Sequence, residues 1–169
     1  MDFRKATIED LPEIMAIIQD AIELLRKQRS PQWQNGYGPS KEKIQHDIQE
    51  NALYVLSDGQ ILALAALIEG EDPVYTAIEE GKWQDSAAYL SIHRVAVAQK
   101  ATGRGIAQQL LKCLIEESKA RKISDIRIDT HELNRGMQKA ILKTGFTYRG
   151  IVYFPIPDGK RLAYQYICE

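Results

Sequence analysis

Lys100-Ala-Thr-Gly-Arg-Gly-Ile-Ala107 is the stretch on which the reading of this chain turns. In front of it, residues 89–97 are rich in β-branched side chains and read as a strand. Behind it, Ile106, Ala107, Leu110, Leu111, Leu114 and Ile115 recur at helical spacing, so residues 103–122 read as a loop opening into a helix. Gly103 and Gly105, with Ala107 after them, let successive backbone N–H groups approach an anion without a side chain in the way. The helix N-terminus adds partial positive charge, so a pyrophosphate is the natural guest. Arg104 and Lys100 can add point charges. A glycine-rich helix entry that binds nothing has the same composition, but the strand-turn-helix context favours binding. Neither a G-x-G-x-x-G fingerprint nor a Gly-Lys-Ser/Thr phosphate loop is present.

On the C-terminal side, residues 126–130 form a short strand. Asn134 caps a helix that stops at Gly145, and residues 146–153 and 161–167 form a last pair of strands around Asp158-Gly159. On the N-terminal side, residues 52–57 and 60–69 form a hairpin at Asp58-Gly59. Residues 70–88 read as irregular, with one helical turn near Ala77. Thr7-Ile-Glu-Asp10 resembles a capping box ahead of a helix over residues 8–28, with Leu11, Ile14, Met15, Ile18, Ile22 and Leu25 on one face. A breaker-rich loop over residues 30–39 carries Trp33 and Tyr37, and Ser40 caps a second short helix. The order is αα, ββ, β-α-β-α, ββ. It predicts an α+β fold of one domain over residues 1–169: a mixed sheet with helices on both faces and a single parallel crossover, not a doubly wound sheet.

Composition narrows the function. The 169 residues hold 22 basic and 23 acidic side chains, a formal net charge of -1, which argues against a nucleic-acid partner. The longest apolar run, residues 61–68, is far short of a membrane span, and the N-terminus lacks the apolar core of a signal peptide. Two distant cysteines, Cys113 and Cys168, form no disulfide framework, so a reducing, cytoplasmic setting is expected. Asp129, His131 and Glu132 lack a further His or Cys partner, so they read as a polar strand end rather than a metal site, and no metal is expected. Cys113 reads as a small core residue rather than a nucleophile.

The strand Ile92-His-Arg-Val-Ala-Val97, followed by Gly103-Arg-Gly-Ile-Ala107, resembles the acetyl-CoA-binding core of the GNAT N-acetyltransferases. The family pattern is Arg or Gln, two residues, Gly, one residue, then Gly or Ala. Thr102-Gly-Arg-Gly-Ile-Ala107 occupies that register, with Thr102 departing at the first position, as Lys100 does in the alternative register ending at Gly105. Asn134 through Gly145-Phe146 is similar to a second family block. The resemblance implies the GNAT fold, a mostly antiparallel sheet with a splayed parallel pair. It implies acetyl-CoA as cosubstrate, bound by Val95, Ala96, Val97, the turn from Thr102 through Gly103, Arg104, Gly105 and Ile106 to Ala107, Asn134 and Lys143. In that fold the loop carrying Trp33 and Tyr37 borders the acceptor, a small-molecule or peptide amine. Self-association into a homodimer is left open.

The chemistry needs the amine deprotonated, the thioester oxygen stabilised and the thiolate protonated. By resemblance the pantetheine arm pairs with Val95 to Val97, and a backbone N–H near Val97 meets the thioester oxygen. His93, four residues before Val97, is expected on the same strand face and is the candidate base, directly or through a water held near Ser91. A core histidine satisfied by a neighbour is the competing reading. Many family members carry a tyrosine acid where this chain has Ile141; Tyr148 heads the stand-ins, with Tyr153, Tyr89 and Tyr37, and solvent is another proton source. The leading expectation is an N-acetyltransferase, and the second is a non-catalytic CoA-binding sensor or interaction module. The residue at 141 favours the second, and His93 the first.

Overall fold

The strands at the centre of the molecule, β2 (Leu53–Ser57) and β3 (Ile61–Glu69), carry runs of apolar residues without alternation. Such runs belong to strands covered on both faces, and every residue of β2 and the first seven of β3 are buried. The computed structural model describes residues 1–84 and 87–169. Its seven-stranded sheet has the order β1-β2-β3-β4-β5-β7-β6, with β1 Asp2–Lys5, β4 Leu90–Val97, β5 Asp125–Thr130, β6 Thr147–Tyr153 and β7 Lys160–Ile167. Neighbours are antiparallel except β4 and β5. The expected α+β architecture is thus observed.

Helices α1 (Leu11–Lys27) and α2 (Lys41–Gln49) cover one face, and α4 (Ile106–Ala120) and α5 (Arg135–Thr144) the other. Ile14, Ile18, Ile44, Leu110, Leu111 and Leu114 are fully buried against the sheet. Ser40 Oγ accepts from Lys43 N at 3.1 Å, and Asn134 Oδ1 from Met137 N at 3.3 Å, so both expected caps form.

Strand β1 was not expected from the sequence. Its four residues are mostly exposed and show no alternation, and it exists because the edge of β2 offers a ladder from Asp2↔Ser57 to Lys5↔Tyr54. Phe3 stacks on Tyr54 at 5.0 Å, and Arg4 holds Asp10 through two bonds of 2.7 and 3.0 Å. A second difference is topological. The connection β4-α4-β5 makes the hydrogen-bonded parallel pair, but β5-α5-β6 is a second crossover whose strands also run parallel, separated by β7. Within the segment expected to be irregular, a short helix α3 (Pro73–Thr76) forms just before the predicted turn, capped by Asp72 Oδ1 on Val74 N at 3.0 Å. Positions 85 and 86 of that segment lie outside the described residues.

Candidate active site

Strands β4 and β5 pair only from Leu90↔Ile126 to Ile92↔Ile128 and then separate. On its other edge β4 stays with β3, but the register shifts: Ala66 faces His93 and Leu64 faces Ala96, so three residues of β4 span two of β3. The additional residue is a bulge, with Arg94 at φ +58°. Its guanidinium makes a bidentate pair with the buried Asp47 of α2, Nε to Oδ2 at 2.6 Å and Nη2 to Oδ1 at 3.0 Å.

The bulge overturns the parity expected for His93. Residues facing each other across a ladder share a face, and Ala66 and Leu64 lie two apart. His93 therefore shares a face with Ala96, and Val97, opposite Ala63, lies on the other. Both still line one cavity of about 1000 Å³, because that cavity runs through the gap where β5 leaves β4. The gap also frees backbone groups. Ala98 N donates to Leu62 O at 2.8 Å, so in the alternating antiparallel ladder Val97 turns its N–H away from β3, toward the gap.

One end of the cavity is formed by the glycine turn. Gly103 and Gly105 have φ of +80° and +71°, and Gly105 is the residue from which α4 starts. Among the described residues the N–H groups of Gly103, Arg104 and Gly105 donate to no carbonyl, and the first N–H groups of α4 have no partner inside the helix. A Cβ built at either glycine meets no atom within 4 Å, so the cradle is open. Thr102, Gly103, Gly105, Ile106 and Ala107 line the cavity, as do Val95, Ala96, Asn134 and Lys143. Arg104 is exposed and lies outside the lining.

The other end holds a titratable cluster. His93 Nε2 stands 3.0 Å from Asp72 Oδ2, and Nδ1 stands 4.0 Å from Asp129 Oδ2. The phenol of Tyr75, fully buried, donates to Asp129 Oδ2 at 2.6 Å and packs beside the imidazole at 5.5 Å between ring centroids. Trp83 Nε1 donates to Tyr75 O at 2.7 Å, and Asp72 N donates to Tyr89 Oη at 2.6 Å, so the short helix α3 is tied down at both ends. The hydrogen bond from His93 holds the Asp72 carboxyl below its ordinary range. Burial pushes Asp129 up, and the same burial, with Asp129 beside it, pushes the Tyr75 phenol well up. His93 is thus neither a plain core residue nor free: it is a partly buried imidazole between two carboxylates, facing a cavity.

Trp33 and Tyr37 line the same cavity, joined by Phe154 and Ile156 from the β6–β7 loop and by Arg161 at the start of β7. Ser91 is buried beneath it and does not line it; its hydroxyl has no hydrogen-bond partner among the described residues. Tyr148 is not brought to the site. It lies on the edge strand β6, about half exposed, edge-on against Tyr164. Ile141 is fully buried on α5. His131 is a satisfied buried histidine whose Nδ1 accepts from Leu133 N at 3.1 Å, and burial lowers its pKa. Among the described residues no group of three or more His, Cys, Asp or Glu side chains could hold a metal ion, and no helix is long and apolar enough to cross a membrane.

Asp72, Tyr75 and Arg161 escaped the sequence reading. Asp72-Pro73 carries a visible helix-start signal, but nothing local places it against a histidine 21 residues later. Asp129 drew attention only for a metal, and its parity with Ala163 and Arg161 appears once β5 and β7 are paired.

An acetyltransferase (GNAT) family model matches residues 18–146. The chain belongs to this family. An acetyltransferase of the GNAT family from Streptococcus agalactiae is 41% identical, with a TM-score of 0.91 over 99% of this chain and 95% of that one. Two structures share the fold at 24% identity: a putative acetyltransferase from Staphylococcus aureus, TM-score 0.75 over all of both chains, and the ribosomal-protein-alanine N-acetyltransferase from Brucella melitensis, TM-score 0.71 over 99% of each. No curated protein matches the chain.

Proposed function

We propose that this acetyltransferase moves the acetyl group of acetyl-CoA to a primary amine by direct attack in a ternary complex. One observation carries the reading: a single cavity joins an open N–H cradle to an imidazole held between two carboxylates. The cradle at Gly103 to Ala107 suits the pyrophosphate, with Asn134 and Lys143 along the arm. The pantetheine adds to the free edge of β4 at Val95 to Val97, and the Val97 N–H meets the thioester oxygen as it gains charge.

The acceptor arrives as an ammonium, and the Asp72–His93–Asp129 cluster favours that charge nearby. His93 takes the proton, directly or through a water, while Asp72 fixes the ring. The neutral amine then attacks, and the thiolate leaves toward the open cavity and is protonated by solvent. Trp33 and Tyr37 wall the acceptor side. The partly buried thiols of Cys113 and Cys168 are free, in keeping with a reducing cytoplasm.

The test is thiol release from acetyl-CoA across a broad panel of amines, with acetyl-CoA binding measured in parallel. Amine-dependent release is expected. Binding without release for any amine would overturn the enzyme reading in favour of a CoA-binding sensor.

A further inference from the structure

Arg161 is a buried cation without a counter-ion in contact. It is 5% exposed, lines the cavity, and has no carboxylate within 4.0 Å among the described residues. Its Nη1 is used up by two backbone carbonyls, Asp158 O at 2.7 Å and Lys160 O at 2.9 Å. These bonds and the Phe154 ring 5.7 Å from the guanidinium hold the group in place. The other edge, Nε with Nη2, donates to nothing among the described residues, and neither nitrogen is a sealed, unpartnered atom. That edge is the planar fork that grips a carboxylate through two parallel bonds.

The fork sits next to the reacting end. Asp129 faces Ala163 across the β5–β7 ladder, and Arg161, two residues before Ala163, shares that face. Asp129 is near enough to feel the charges of both His93 and Arg161. The cavity therefore carries the Asp129 carboxylate beside His93, whose far side is held by Asp72, and the cationic fork of Arg161. A ligand with an ammonium and a carboxylate a few bonds apart matches both.

We infer that the acceptor is a free amino acid, its carboxylate held by the Nε/Nη2 edge of Arg161 and its amine placed at His93. This rests on the acetyltransferase reading above. The ammonium gives one proton to His93, the freed lone pair forms the C–N bond with the thioester carbonyl, the C–S bond breaks, and the second proton of the attacking nitrogen passes through water to the departing thiolate. The products are an N-acetyl amino acid and CoA. A polypeptide N-terminus presents a neutral amide where the carboxylate belongs and leaves the fork unpaired.

The experiment compares each L-amino acid with its amide and its decarboxylated amine, by thiol release and by calorimetry on the CoA-loaded protein. At least one amino acid is expected to exceed its amide and amine by about tenfold or more in kcat/KM, as befits charge-assisted bonds. Arg161→Gln should erase that preference through KM, with acetyl-CoA affinity held. Arg161→Lys, which keeps the charge but not the fork, should restore it only in part. Amides or amines turned over as well as amino acids would overturn the proposal and leave the transferase reading standing. Arg161-dependent amino-acid binding without turnover would support the carboxylate site and sink the transferase reading. Neither binding nor turnover of any amino acid would also overturn the proposal. The wild-type comparison decides the matter even if the variants fail to fold.

Discussion

Arg94 and Asp47 lock the bulge of β4 onto α2 through two short hydrogen bonds, 2.6 and 3.0 Å, with Asp47 almost fully buried. The pair holds Arg94 at a positive φ, and that residue decides which face His93 occupies. Removing one partner of a buried pair costs about 3–5 kcal/mol, and each kcal/mol moves Tm by about 2–4 °C at this size. Asp47→Ala should therefore lower Tm by roughly 6 °C or more. It should also weaken acetyl-CoA binding, since Val95 to Val97 follow the bulge. A thermal melt with calorimetry measures both, and an unchanged Tm would show that the bulge stands without its clamp.

Gly105 tests the cradle. At φ +71° any L side chain is strained by about 1–2 kcal/mol, and a Cβ there projects into open space, where the proposal seats the pyrophosphate. Gly105→Val should cost modest stability and most of the acetyl-CoA affinity. Wild-type affinity in a folded variant would place the cofactor elsewhere.

His93→Ala should lower kcat by about 10²–10⁴-fold with little change in acetyl-CoA affinity. It should also change stability in acid. The folded Asp72 carboxyl is held below its unfolded value by His93, so this contribution is present above about pH 4 and is lost as pH falls through the folded pKa. The stability gap between wild type and variant should narrow as pH drops from about 4. A gap that widens in acid, or a normal kcat, would count against the assignment.

Asp129 carries the opposite sign. Burial raises its folded pKa above the unfolded value, so folding loses stability as pH rises from about 3.9 through the folded pKa. Asp129→Asn removes that penalty and can still accept from Tyr75. The variant should gain in Tm over wild type as pH rises, while kcat/KM falls because the cluster facing the amine has lost a charge. Melts over pH 4–8 read the first effect and steady-state kinetics the second. A variant less stable at pH 7 would mean that the carboxylate is better solvated than its burial indicates.

Trp33→Ala should raise the acceptor KM and leave cofactor affinity nearly intact, because Trp33 enters the cavity from the loop after α1. Lost acetyl-CoA affinity with an unchanged acceptor KM would put the loop on the cofactor side.

Local chemistry was enough for much of this molecule. The glycine turn, the caps at Ser40 and Asn134, the stop at Gly145 and the Asp58-Gly59 hairpin each depend on residues a few positions apart, and each forms where expected. The turn was legible for the same reason, a backbone cradle being a short-range object, whereas Val95 to Val97 were singled out through the family resemblance. Other features needed the assembled sheet. Strand β1 carries no alternation and exists only through the edge of β2. The face of His93 depends on a bulge that pairing with β3 and a carboxylate on α2 impose, so counting residues along β4 misplaced it. Asp72, Tyr75 and Asp129 gather around His93 from distant parts of the chain, and Arg161 comes onto the face of Asp129 because β7 inserts between β5 and β6. A charge placed against a distant charge leaves no trace in local spacing. Only the packed fold brings the cluster together; burial then raises the pKa values of Asp129 and Tyr75, while the hydrogen bond from His93 lowers that of Asp72.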